Sequence, residues 1–196
     1  MLFISKQGHV DAERVKLAIH PAIERGPMHK VNGIVVHQTN GPTAQSTFHS
    51  YQHKDANGAH FLIDKDGTIY QTASLHRSTN HVGLMKSKCL LEKSCTPAEF
   101  KKIKRMDLHT RSRHEENKGW ADRFPAKRDS IGIELVGKAF GDKGKEIFEN
   151  VTDEQNESLG WLIMELSDTL GVSMQSIYRH PEISHKNKTE ASTARW

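Results

Sequence analysis

The chain has 196 residues, 35% of them hydrophobic, with a net charge of +4 and thirteen histidines. That length accommodates one domain with a real core and is short for two, and the low apolar share points to a compact core plus a polar extension. No apolar run approaches the roughly 20 residues of a membrane span, which excludes a helical membrane protein, while the mild basicity suits a polyanionic partner such as a wall polymer or nucleic acid.

The opening Met1-Leu2-Phe3-Ile4-Ser5-Lys6 lacks a basic n-region and is too short for the apolar stretch of a signal peptide. Residues 11–25 read as a helix, because Val15, Ala18, Ile19, Ala22 and Ile23 repeat at helical spacing and Pro21 would only kink it. Gly33-Ile34-Val35-Val36-His37 is a buried strand that ends on a histidine. Asn40-Gly41-Pro42 breaks the chain, and Thr43 caps a predicted helix over about 44–55. Ala59–Asp64 and Thr68–Gln71 flank Lys65-Asp66-Gly67, a hairpin signal.

The stretch 86–128 reads differently. It holds thirteen Lys or Arg against six Asp or Glu, about +7, with few apolar residues and no period. We read it as a basic surface insertion over a single domain spanning 1–196. Its aromatics are confined to Phe100, Trp120 and Phe124, too few for a nucleic-acid stacking platform, so nucleic acid is not the expected partner. Cys89 and Cys95 cannot build a zinc ribbon alone. They are either two free thiols or one small-loop disulfide in an oxidising compartment. Downstream, Ser130–Gly137 is a strand with Glu134 inside it, and Thr152-Asp153-Glu154-Gln155 has capping-box form. The helix it opens carries Leu159, Leu162, Ile163, Leu166 and Leu170, and Gly171 closes it. Strands and helices mixed in this order make an α/β fold with a central sheet.

Taken alone, His37 and His180 are each better read as hydrogen-bonded core histidines. Together with Lys188 and Glu190 they form a pattern: strand–His37-Gln38-Thr39, an Asp-Gly hairpin, Ile131-Gly132-Ile133-Glu134, a helix, His180, then Lys188-Thr189-Glu190. This pattern resembles the zinc amidases of the amidase_2 type, N-acetylmuramoyl-L-alanine amidases that share their fold with peptidoglycan recognition proteins and phage lysozyme-amidases. The resemblance covers about 30–85 and 129–196. It implies a central mixed β-sheet flanked by helices and a Zn2+ ion held by His37, His180 and Glu190. Three protein ligands leave an open position for water, whose pKa zinc lowers towards about 7.

The resemblance also implies Glu134 as general base, against the competing reading of a solvent-facing strand residue. Lys188 then donates to the oxyanion. His81, in Asn80-His81-Val82-Gly83, lines the cleft and positions substrate, with His60 and His76 as further candidates. Two departures stand out. The third ligand of the family is Asp or Cys and here is Glu190, with Glu182 and His185 as flanking alternatives. The Tyr that some members carry before the second strand is Ala59.

The implied activity is hydrolysis of the amide between N-acetylmuramic acid and L-alanine in peptidoglycan, by a monomer. A non-catalytic wall-binding module is the rival. A cytoplasmic muropeptide-recycling enzyme, a phage lysis enzyme and a toxin with an immunity protein as partner all fit the pattern. The expectation favours a cell-wall hydrolase exported without a visible signal peptide.

Overall fold

The computed structural model describes residues 2–142 and 144–196. In chain order, β1 (Phe3–Ile4) and β2 (Val10–Asp11) pair antiparallel, and β3 (Val15–Leu17) follows. β4 (Glu24–Pro27) and β5 (Gly33–Gln38) precede α1 (Ala44–Ser50). Then come β6 (Phe61–Ile63), β7 (Ile69–Gln71) and β8 (Arg77–Thr79), and after them α2 (Lys88–Glu92), α3 (Pro97–Lys104) and α4 (Leu108–Glu116). β9 (Ser130–Leu135), β10 (Ala139–Phe140), β11 (Ile147–Phe148), α5 (Asp153–Leu170), β12 (Ile177–Arg179) and α6 (His180–Ile183) complete the order.

The main sheet has six strands in the order β12-β5-β9-β6-β7-β3. It is mixed: β12, β5, β9 and β6 run parallel, β7 runs antiparallel to β6, and β3 pairs parallel with β7. Alternation along β5 and β9 sorts their side chains. Ile34, Val36, Ile131, Ile133 and Leu135 face the main core against Leu159, Leu162, Ile163 and Leu166 of α5. Each of these side chains is fully buried, which is worth roughly 1.5–3 kcal/mol apiece. The other face receives Val35 and His37 from β5 and Gly132 and Glu134 from β9, by the two-residue period. Because β5, β9 and β12 are parallel, His37, Glu134 and His180 all lie at the same, carboxyl, edge of the sheet, where open sheets place their sites.

Helix α5 begins where its capping box sits. Gln155 N–H donates to Thr152 Oγ1 at 3.1 Å, and Thr152 N–H returns a bond to Gln155 Oε1 at 3.1 Å. The same Gln155 amide donates to the carbonyls of Ile63 and Val136, at 3.1 and 2.9 Å. One residue thereby caps the helix and ties it to two strands, a helix start worth about 1 kcal/mol.

Residues 11–25 are not a helix. They form β3, a 3-10 turn at Pro21–Ile23 and part of β4. Neighbouring backbone decides the matter: β3 lies along β7, then Ala18 N–H donates to Gln71 O and His20 N–H to Thr72 O, both at 2.9 Å. Sheet pairing satisfies donors that a helix would have used internally, and an edge strand needs only Val15 buried while Leu17 stays 55% exposed. Helix α1 is also shorter than expected, ending at Ser50 with Tyr51 as its C-cap.

The basic stretch is more ordered than its composition suggests. Its three helices start at caps, not at apolar periods: Ser87, Thr96 and Asp107 each accept the backbone N–H three residues on. Cys89 and Cys95 form a disulfide with Cα atoms 5.2 Å apart, joining α2 to the start of α3. Met85 N–H donates to Ser112 Oγ at 2.9 Å, which docks α4 on the domain. Phe124 and Ala126 pack with Val35, Val82, Met85 and Ile183 on the site side of the sheet.

Candidate active site

His37, Glu134 and His180 meet Glu190 in one cleft of about 590 Å³. The sheet sets the spacing, since His37 and Glu134 are register partners on β5 and β9. His180 follows β12 directly as the first residue of α6. Glu190 comes from the last turn of the chain, held by Ala191 N–H donating to Gln38 Oε1 at 3.0 Å.

The protons of the two histidines are assigned by their neighbours. His180 Nε2 lies 2.8 Å from the Val82 carbonyl, which only accepts, so Nε2 carries the hydrogen. His37 Nε2 lies 3.0 Å from His81 Nδ1. On its far side His81 Nε2 faces the Ser130 carbonyl at 3.3 Å and the Ser130 hydroxyl at 3.2 Å. That hydroxyl is already donating to Ala126 O at 2.7 Å. His81 therefore donates from Nε2 and accepts at Nδ1, and His37 donates from Nε2. As neutral rings, both ligand candidates are left with a bare Nδ1. These point at the same atom, Glu190 Oε1, 2.8 Å from His180 and 3.6 Å from His37.

Three electron-pair donors facing one another repel unless a proton or a cation lies among them. Their candidate ligand atoms all fall within 4.8 Å. The set of two imidazoles and one carboxylate, with the remaining nitrogens held by carbonyl and imidazole partners, is the arrangement zinc sites use. The residues fit the metal.

Electrostatics agree. Burial pushes His37 down to about 4, and the His180 ring pushes the same way, outweighing the pull of Glu190. The imidazole is thus neutral and able to bind a metal. Burial opposes ionisation of Glu190, but the facing His180 and His37 rings hold it at about 2, so it stays a carboxylate. Glu134 goes the other way. Burial lifts it to about 7, with Tyr51 opposing through a hydrogen bond and Glu190 adding repulsion.

The other expected residues divide. His81 lies at the cleft but is 8% exposed with both ring nitrogens engaged, so it orients His37 and has no nitrogen left for substrate. Gly132 makes room for it: a Cβ there would lie 2.9 Å from the His81 ring. The motif Ile-Gly-Ile-Glu thus sends its two isoleucines to the core, clears space at its glycine and puts its glutamate in the cleft. His60 is fully buried, accepting Gly132 N–H and sitting 2.9 Å from Arg77 O. His76 and His185 are exposed and outside the cleft, and Glu182 caps α6 by accepting Arg179 N–H at 2.7 Å.

Lys188 is not brought into the cleft. It is exposed, because the turn holding it is pinned by Asn187 Nδ2 donating to Glu146 O at 2.7 Å. Lys186 lines the cleft instead, and its charge acts on both His37 and Glu134. Sequence spacing alone offers Lys186 and Lys188 equally. Tyr51 was not singled out from the sequence, and nothing in its neighbourhood there marks it. In the structure its hydroxyl donates to Glu134 Oε2 at 2.8 Å.

The family model for N-acetylmuramoyl-L-alanine amidase matches residues 27–192. The chain belongs to this amidase family. Solved structures similar to this amidase include AmpD in a selenomethionine derivative, at 18% identity and TM-score 0.55, covering 95% of this chain and 91% of that one. The catalytic domain of XlyA is similar at 21% identity and TM-score 0.52, covering 88% and 87%. AmpDh3 from Pseudomonas aeruginosa, in complex with anhydromuramic pentapeptide, is similar at 18% identity and TM-score 0.54, covering 93% of this chain and 58% of that one. No curated protein sequence matches. The mixed sheet with flanking helices is the fold these amidases share.

Proposed function

We propose that this chain is a zinc-dependent N-acetylmuramoyl-L-alanine amidase acting on peptidoglycan or its muropeptides. The observation that carries the reading is the convergence of His37 Nδ1, His180 Nδ1 and Glu190 Oε1 beside the half-buried carboxylate of Glu134. Zinc held by those three atoms supplies Lewis acidity and makes water available as a nucleophile near neutral pH. Glu134 takes the proton of the attacking water and passes it to the leaving amine, a task for which a pKa of about 7 is well matched. Lys186 donates to the carbonyl oxygen as it gains charge. Asn57, Asn80 and Asn187 along the cleft offer donors and acceptors to a polar glycopeptide.

The disulfide between Cys89 and Cys95 favours a working place outside a reducing compartment, and we infer an exported cell-wall hydrolase. No helix among the described residues is long and apolar enough to cross a membrane.

Digestion of purified sacculi tests the activity. The expected products are new L-alanine amino termini and muramic acid with a free lactyl carboxylate; chelation stops their release and zinc restores it. Binding to sacculi with neither product formed would establish the wall-binding module instead.

A further inference from the structure

We propose that Tyr51 is the positioning residue of the reaction, holding Glu134 in the orientation in which it acts as base. The inference rests on the assignment of Glu134 above. Tyr51 caps the C-terminus of α1 and is 2% exposed. Its hydroxyl donates to Glu134 Oε2 at 2.8 Å, while Ala59 N–H donates to the Tyr51 hydroxyl oxygen at 3.5 Å.

A buried phenol with one carboxylate partner and one backbone donor has a single good orientation. The ring is fixed as well. It meets His20 edge-on at 5.5 Å between centroids and clusters with Ile23 and Ala73. The backbone has been cleared for it. A Cβ on Gly58 would come within 2.8 Å of Tyr51 Cε1 and 2.9 Å of Ile23 Cδ1, so the glycine keeps the ring's berth open. Next to it stands Ala59, too small to reach the cleft. The phenol enters from the helix cap, across the space in front of the second strand.

The bond has chemical consequences for Glu134. Glu134 is half-buried at the wall of the cleft, and nothing else among its described hydrogen bonds fixes which oxygen faces the reacting groups. A phenol donor restrains the rotation of the carboxylate and favours its ionised form, the one that accepts a proton. Glu190, His180 and Lys186 act on Glu134 through charge alone, which sets no orientation. Among the described hydrogen bonds and ring contacts, Tyr51 reaches none of His37, His180 and Glu190. It acts through Glu134.

The test is Tyr51→Phe, which keeps the ring and removes the hydroxyl, read on the zinc-loaded protein. We expect kcat to fall about 10- to 100-fold, the scale of one charge-assisted hydrogen bond, with KM and zinc affinity within about twofold of the parent. The acidic limb of the kcat profile moves to higher pH. In a Glu134→Gln background, Tyr51→Phe has no further effect on kcat, because the base that the bond positions is already gone. A readout independent of turnover follows the Glu134 carboxyl by 13C NMR, and its midpoint rises in Tyr51→Phe.

Parental kcat in Tyr51→Phe, an equal fractional loss in both backgrounds, or an unchanged carboxyl midpoint overturns the proposal. If Glu134→Gln itself turns over at the parental rate, the base assignment fails first and takes this role of Tyr51 with it. If Glu134→Gln is inactive and Tyr51→Phe is parental, only the role of Tyr51 falls. Thermal unfolding of both variants separates a misfolded protein from either result. Should Tyr51→Phe not fold, Tyr51→Trp, with an N–H donor in place of the hydroxyl, gives partial retention of kcat if the bond is what matters, and a loss as deep as Glu134→Gln overturns it.

Discussion

Two buried polar networks in this molecule are built from similar parts and finished in opposite ways. At the base of the insertion, Arg123 and Asp129 are both almost fully buried. Arg123 meets both oxygens of Asp129, at 3.2 and 2.6 Å, and also donates to the carbonyls of Lys118 and Phe124. Asp129 further accepts from Ala126 N–H and the Asn32 amide. At the cleft, His37, His180 and Glu190 are equally buried, yet their electron pairs converge on one another. The first network is saturated and closes the insertion onto β9. The second is finished on its outer side, by Val82 and by His81 with Ser130, and unfinished on its inner side. Buried charge that is fully paired holds a shape; buried charge with bare donors aimed inward is set for a ligand.

The largest effect expected from breaking this contrast is at Glu190. Glu190→Ala should weaken zinc binding by more than about 100-fold, exceeding what loss of an outer hydrogen-bond partner does, and abolish release of L-alanine termini. Glu190→Asp should keep part of both. Glu182→Ala and His185→Ala should bind zinc like the parent in the same titration. Normal zinc binding by Glu190→Ala would remove the distinction between the networks.

Next comes the saturated network. Arg123→Met leaves Asp129 buried without its cation and should cost about 3–5 kcal/mol of stability in denaturant melts. Zinc affinity per folded molecule should not change. Loss of zinc in step with Arg123 would mean that the insertion and the cleft are one unit.

Acid should act on the imidazole side. Burial holds His60 at about 4 in the fold, below its ordinary value of 6.5. Between those values the unfolded chain binds a proton that the folded chain refuses, so stability is complete above pH 6.5 and is lost as pH falls towards 4. The loss from His60 alone is about 3 kcal/mol. Melting midpoints measured from pH 7 to 4 should fall, and should fall less in His60→Gln. A flat profile would place His60 in solvent.

The smallest effect sharpens the cleft itself. Lys186→Met should lower kcat by about 100-fold, the scale of one oxyanion donor, while Lys188→Met stays within about twofold. The reverse result would return the role to Lys188.

Where the sequence is legible, one local rule coincides with the tertiary outcome. Ile131-Gly132-Ile133-Glu134 reads as a strand and is one, and Leu159 to Leu170 reads as a helix face and is one. The pairing of His37, His180 and Glu190 is legible only through family resemblance, because 143 residues separate the two histidines and no periodicity spans that gap. Residues 11–25 mislead because their apolar spacing suits a helix while the edge of β7 offers their backbone a better partner. The insertion helices escape notice because caps start them and apolar stripes do not. Tyr51 and Lys186 depend on how a helix end and a turn are aimed, which composition does not encode.

Residues His37 and Glu134 sit opposite each other on adjacent parallel strands. Their separation is therefore a lattice constant of the sheet, about 4.8 Å between neighbouring backbones, and does not depend on any loop. The basic insertion can drift in length and charge over evolutionary time without altering that separation. For an engineer, the same feature marks the seam: the distance from His37 to Glu134 belongs to the frame.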